Sequence, residues 1–327
     1  MQNNDPIDVV ISWVDGNDPA HKLKIKPYLN KQAHISEDIA GPTRFRSEGE
    51  IFYCVSSILR FAPFVRKIFI ITNNHNPQLE DFISINFPKN TIPVIIVDHS
   101  EIFKGYEEHL PVFNSISIET CLFKTPDLCE NFVYFNDDFF LTRPIKSEDW
   151  FVDNKPVAYG YWRNIVLDRI LSFIKPQKNG YKPFGYKDSI LNAAKCIGQK
   201  GKYFYMTHSP QAMKKSLLEE YFAENPDKII ANISHKFREK TQFNPQALFY
   251  LLAFKTNNCI QNSEKKTLFM KPVRRNTAYV DRKIKVLENK TDIIFCCIES
   301  IDMAEKADQQ KIFNWLGELL NITTIGL

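Results

Sequence analysis

Nothing in this 327-residue sequence is long and apolar enough to cross a bilayer; its longest apolar runs, such as residues 68–71 and 94–97, are far too short. Residues 1–6 are polar and lack a basic stretch followed by an apolar one, so a secretion signal is not expected. The seven cysteines contain no C-x-x-C pair, which removes the commonest zinc and redox signatures. An odd cysteine count without a leader points to reduced thiols in the cytosol, most of them buried as small apolar residues. Charge of one sign is also scarce, since Lys and Arg exceed Asp and Glu by only four. That balance argues against a nucleic-acid binder and leaves room for anionic ligands or a membrane surface. What is present is 44% hydrophobic residues, enough for one large core or two closely packed lobes.

Residues 7–13 (IDVVISW) read as a buried strand that runs into the turn formers Asp15, Gly16, Asn17, Asp18 and Pro19. Residues 47–61 read as a helix with Ser47 and Glu50 at capping-box spacing. KIFIIT (67–72), PVIIVD (93–98) and FVYF (132–135) read as further strands, with a helix over 114–124 between the last two. Alternating strands and helices over roughly the first 145 residues predict an α/β domain with a largely parallel sheet. Residues 150–205 lack clear periodicity and are expected to be an irregular insertion or lid. Ser209-Pro210 is expected to start a helix through residue 223, and Asn244-Pro245 another. Residues 292–298 predict a strand, and 309–320 an amphipathic helix that favours core packing over membrane contact. The whole reads as a single domain: an α/β part (1–149), the insertion (150–205), and a remainder (206–327) that completes the site.

Several constellations could carry chemistry. Asn136, Asp137 and Asp138 end an apolar strand, where adjacent carboxylates suit a hard cation such as Mg²⁺; a turn or cap is the plain alternative. Gly16 would let the backbone approach a ligand, and Asp15 and Asp18 could bind sugar or base hydroxyls or help hold a metal, or the three could simply form a turn. Arg44 and Arg46 carry forked donors suited to phosphate, though loop arginines are usually solvated. His208 precedes the expected helix start, where an anion could bind, and could be a general base, a phosphate ligand or structural. Arg238 could pair with phosphate or lie on the surface.

In order along the chain, these pieces resemble the Stealth family of bacterial capsular-polysaccharide phosphotransferases and the animal phosphotransferase of mannose 6-phosphate tagging. The blocks are IDVVISWVDGNDP (7–19), RFRSEGEIFY through TNNHNP (44–77), LPVFNSISIETCLFKTPDLCENFVYFNDDFFLTRP (110–144) and FCCIESID (295–302), with His208-Ser209-Pro210 and HKFRE (235–239) between the last two. The resemblance implies a Rossmann-like or GT-A-like catalytic domain, a nucleotide-sugar donor, and Mg²⁺ (or Mn²⁺). It implies catalytic roles for Asp15, Asp137, Asp138, His208 and Arg238. It places Trp13, Gly16, Asp18, Arg44, Arg46, Glu50, Asn73, Asn114, Ser115, Glu119 and Asn136 against substrate. Where the family's second block carries an arginine in mid-helix, this chain has Ser56-Ser57. Where its fourth block carries Asn-Asp, this chain has Glu299-Ser300, so metal ligation is expected from Asp137 and Asp138 with Glu299 first and Asp302 second.

The implied reaction moves hexose 1-phosphate from a UDP-sugar, UDP-N-acetylglucosamine being the first donor to try, to a sugar hydroxyl of a capsule polymer, releasing UMP. A cytoplasmic place follows, with peripheral contact at the inner face of the bacterial membrane left open. Two other readings stand beside it: a metal-dependent glycosyltransferase releasing UDP, and a non-catalytic polysaccharide-binding assembly protein.

Overall fold

Period-two alternation sends successive residues of each central strand into two different cores. Ile7, Val9 and Ile11 enter one and Val10 the other; Ile68 and Ile70 part from Phe69 and Ile71, and Val133 and Phe135 part from Phe132 and Tyr134. A sheet covered on both faces needs apolar residues at nearly every position, which is why these strands read as continuous apolar runs.

The computed structural model of the chain describes residues 5–29, 48–174, 184–273 and 278–323. Elements in chain order are β1 (Ile7–Ser12), α1 (Pro19–Leu29), α2 (Glu50–Phe61), β2 (Lys67–Thr72), α3 (Leu79–Asn86), β3 (Val94–Asp98) and α4 (Ser115–Cys121). Next come β4 (Asn131–Asn136), β5 (Phe139–Leu141), β6 (Phe151–Val152), β7 (Lys155–Asn164), α5 (Ile165–Ile174), α6 (Tyr186–Cys196), β8 (Lys202–Met206) and β9 (Gln211–Lys214). The remainder holds α7 (Lys215–Glu224), α8 (Pro226–Ile233), α9 (Pro245–Lys255), β10 (Ile260–Asn262), β11 (Thr267–Met270), α10 (Ala278–Asn289), β12 (Phe295–Ile298) and α11 (Lys306–Leu320).

The central sheet has the order β3-β2-β1-β4-β9. Its first four strands are parallel and β9 is an antiparallel edge. The 3-2-1-4 order is that of a Rossmann-like sheet, so the α/β expectation holds, and ligands in such sheets bind beyond the carboxyl ends of the strands. A second sheet, β11-β12-β5, pairs Cys297 with Phe139 and delivers the end of β12 to the end of β4.

Two expectations are corrected. Among the described residues of 150–205 the chain is regular and not an irregular insertion: β7 is ten residues long and pairs with β6, β8 and β10. Its buried stretch, Pro156 through Gly160, includes proline, alanine and glycine, so neither period stands out in the sequence. Ser209-Pro210 does not open a helix. Gln211–Lys214 instead pairs with β4, burying Ala212 and Met213, and the helix begins at Lys215. Sheet pairing overrides the local start signal. By contrast, Asn244 caps α9 as expected, its side chain accepting from the Ala247 N–H at 2.7 Å.

In α11, Ile312, Leu316 and Leu320 are fully buried, which favours core packing. Among the described residues, no helix is long and apolar enough to cross a membrane.

Candidate active site

Parallel pairing brings the ends of β1, β2 and β3 together. Beyond β1, Asp15 Oδ1 accepts from the Asn17 N–H (2.8 Å) and Asp18 Oδ1 from the Ala20 N–H (2.9 Å), fixing the loop onto the start of α1. Gly16 is buried within it. The Asp15 N–H donates to His75 Nδ1 (3.2 Å), while His75 Nε2 lies 3.1 Å from Asp18 Oδ2. Trp13 meets the His75 ring edge-on, with centroids 6.1 Å apart. Lys24 Nζ donates to Asn73 Oδ1, and the Asn74 N–H donates to Asp98 Oδ2 (2.7 Å). Burial, then the charge of His75, pushes His21 down to about 4. The result is a hydrogen-bonded polar cluster beside the Trp13 indole.

The second part forms where β4 turns into β5. Burial, reinforced by Asp138, pushes Asp137 up to about 7; burial, reinforced by Glu299 and Glu50, does the same to Asp138. Glu50 is also pushed up to about 7, by burial and then by Asp137. Carboxylates that raise one another in this way form a focus of negative charge. The Ile298 N–H donates to the Asp138 carbonyl (3.0 Å), tying β12 to the acidic turn. The Cys297 thiol approaches Asp138 Oδ2 at 3.7 Å, while Asp138 Oδ1 is buried without a hydrogen-bond partner.

That orphaned oxygen and the crowded carboxylates fit a divalent cation. A cage of Asp137, Asp138, Glu299 and Asp302 does not fit. Lys271 already forms an ion pair with Glu299, and Asp302 lies further on in a one-turn helix, Ile301–Met303. Among the described residues no three His, Cys, Asp or Glu side chains are grouped to hold a metal. Magnesium commonly takes one or two carboxylates and completes its shell with water and substrate phosphate, which the acidic turn can satisfy.

The third part joins distant segments. The Phe113 N–H donates to the Lys236 carbonyl (2.8 Å), and the Phe113 and Phe237 rings stack at 5.7 Å. Asn114 caps α4 by accepting from the Ile116 N–H (3.1 Å), and its amide donates to Phe237 O (3.0 Å) and Gln242 Oε1 (2.8 Å). Arg238 is thereby set beside α4, where its guanidinium donates to Ser115 Oγ (2.7 Å). One turn along α4, Glu119 is buried and its charge acts on Tyr134 and Tyr186. Tyr134, pushed well above its usual value by burial and then Glu119, donates to Asn136 Oδ1. Tyr186 packs on His208 (centroids 4.7 Å apart), which also packs against Phe269 (4.9 Å). Burial lowers the His208 pKa, with Glu299 opposing the shift.

Three expected roles change. Asn114 is a buried clasp for the Arg238 segment, its amide hydrogen bonds spent within the protein. Glu50 is the first residue of α2 after Gly49 rather than the third position of a capping box, and it belongs to the acidic group. His208 is held by aromatic rings and not at a helix start. Arg44, Arg46 and Ser47 lie outside the described residues. Sequence reading passed over His21, Lys24, His75, Tyr186 and Lys271. Of these, only His75, in a loop after an apolar strand, carried a signal of its own.

The Stealth protein CR1 (conserved region 1) family model matches residues 5–33, and that of Stealth protein CR2 (conserved region 2) matches 44–158. The chain is 32% identical over 249 residues to a capsular polysaccharide phosphotransferase of Actinobacillus pleuropneumoniae, covering 73% of this chain and 62% of that protein. It is 29% identical over 316 residues to an exopolysaccharide phosphotransferase of Streptomyces coelicolor, covering 94% of this chain and 53% of that one. It therefore spans a little over half to three fifths of these relatives' length. Among solved structures, the galactosyltransferase LgtC with donor and acceptor sugar analogs aligns at TM-score 0.46 and 12% identity, covering 97% of each chain. Conserved regions 1 and 2 contain the Asp15 loop and the Asp137-Asp138 turn that meet at one edge of the sheet, and by them this chain belongs to the Stealth family.

Proposed function

We propose that the chain transfers a hexose 1-phosphate, of the N-acetylhexosamine type, from a UDP-sugar to a hydroxyl of a growing polysaccharide, releasing UMP. The observation that carries this reading is the crowded acidic turn of Asp137 and Asp138 with an orphaned, buried oxygen, at the mouth of a Rossmann-like sheet. Relatives named capsular polysaccharide phosphotransferases support phosphorus as the centre attacked.

The acceptor hydroxyl oxygen bonds to the phosphorus that bears the sugar. The bond from that phosphorus to the bridging oxygen breaks, and UMP leaves. Trp13, Asp15, Asp18 and Asn73 receive the nucleoside. Arg238, fixed by Ser115, offsets charge on the transferring phosphoryl oxygens. His208 takes the acceptor proton. Burial lowers its pKa and so favours the neutral imidazole that a general base must be. Mg²⁺ (or Mn²⁺), held by Asp137 and Asp138, would neutralise diphosphate oxygens.

The nucleotide product tests the reading. Purified protein is incubated with UDP-sugars, Mg²⁺ and capsule-type oligosaccharides. Acceptor-dependent UMP without UDP is expected. Acceptor-dependent UDP would mean attack at carbon and an ordinary glycosyltransferase. Metal-dependent donor binding without turnover would leave a polysaccharide-binding protein.

A further inference from the structure

Helix α5 turns its apolar side outward. Val166, Leu167, Ile170 and Leu171 are 60%, 56%, 50% and 44% exposed. Their spacing puts them on one face of the helix. The opposite face is anchored: Ile165 is buried, and so is Asp168, which receives Arg163 Nε (2.7 Å), Lys187 Nζ (2.6 Å) and the Tyr203 hydroxyl (2.8 Å). Tyr161, 46% exposed, adds an aromatic side chain from β7 just before the helix.

The surroundings of this face are basic. The Ile165 N–H donates to the Gly201 carbonyl (2.9 Å), and Lys202 pairs in register with Asn164, so exposed Lys200 and Lys202 stand at the start of α5. Lys195 is exposed at the end of α6. Among the described residues from Trp162 to Lys202, Arg163 and Lys187 are paired with Asp168, whereas Lys195, Lys200 and Lys202 are exposed and Asp188 is the one other acid. Three exposed lysines therefore accompany the exposed aliphatic face.

We propose that α5 and its lysine surround form a docking surface for an anionic phospholipid bilayer. An interfacial helix needs an apolar face to enter the acyl boundary, cationic side chains to meet headgroups, and an aromatic ring at that level; all three occur here. A nucleic acid would use the lysines and leave the aliphatic face in water. A second copy would bring the exposed lysines of two like faces together. The surface is linked to the reaction centre: Tyr186 packs on His208, and the adjacent Lys187 is paired to the buried side of α5. A docked protein thus holds its site within one helix of the membrane. The inference does not depend on the transferase reading, because its test measures binding alone.

The purified full chain is mixed with sucrose-loaded vesicles of phosphatidylglycerol and phosphatidylethanolamine, or of phosphatidylcholine alone, and sedimented. The wild-type chain is expected to pellet with the anionic vesicles at low salt and to be released by high salt. The bound fraction should fall about tenfold on neutral vesicles, in Val166→Glu/Ile170→Glu, and in Lys200→Glu/Lys202→Glu. Melting temperatures should be unchanged in both variants, since these side chains face solvent. Absence of wild-type binding to anionic vesicles, or full binding by Val166→Glu/Ile170→Glu, overturns the proposal. So does a wild-type dimer that this variant dissociates, which would assign the face to a second copy. A large drop in its melting temperature would show the face to be covered by the chain itself.

Discussion

His99 is buried at the start of the one-turn helix that follows β3, its Nδ1 without a hydrogen-bond partner. Burial pushes its pKa down to about 4, with Lys24, His75 and His21 adding to the shift and Asp98 opposing it. The unfolded chain binds a proton at this residue near pH 6.5, and the folded chain does not until about 4. The stability associated with neutral His99 is therefore fully present above pH 6.5 and is lost as pH falls toward 4. A shift of this size corresponds to about 3–4 kcal/mol. Glu50, Asp137 and Asp138 act with the opposite sign in the same window, because their raised pKa values favour the folded state at low pH. Only a difference between variants isolates the histidine. In His99→Asn, urea unfolding measured from pH 7 to 5 should lose less stability than wild type; parallel curves would contradict a buried neutral imidazole.

At the scale of elements, the pairing of β7 with β8 depends on one close approach. A Cβ at Gly160 would meet the Tyr205 carbonyl oxygen at 2.4 Å and the Phe204 ring at 2.7 Å. Backbone oxygen cannot step aside as a side chain can. Gly160→Ala should therefore cost about 3 kcal/mol in urea unfolding, and an effect below about 0.5 kcal/mol would mean that the strands are not so closely apposed. This element also shows where sequence reading ran out. β1, β2 and β4 were legible because strands covered on both faces are apolar almost throughout. The Asp137-Asp138 turn was legible because acids abruptly end such a run. The strand Gln211–Lys214 was not, because its identity comes from pairing with β4 and not from its four residues. Lys271 and Tyr186 gain meaning only from Glu299 and His208, contacts that join distant parts of the sequence.

Across the whole molecule, three distant segments bring acids to one mouth: Glu50 at the head of α2, Asp137 and Asp138 after β4, and Glu299 after β12. Their mutual effect on one another's protonation means that the fold bears like charges in a partly desolvated place. Two cores sandwiching the central sheet, one on each face, supply the rigidity that holds them there. Such a site gives up stability for function, and a bound cation should restore some of it. With Mg²⁺ at a hundred times its Kd, the melting temperature should rise by about 4 °C. Asp138→Asn removes one charge from the group while keeping its shape. It should raise the metal-free melting temperature slightly, abolish the Mg²⁺ increment and abolish sugar-phosphate transfer. Because the first two readouts need neither donor nor acceptor, they test the acidic turn apart from the reaction assigned to it. A full Mg²⁺ increment in Asp138→Asn would place the cation elsewhere, and the acidic turn would then have to be explained without it.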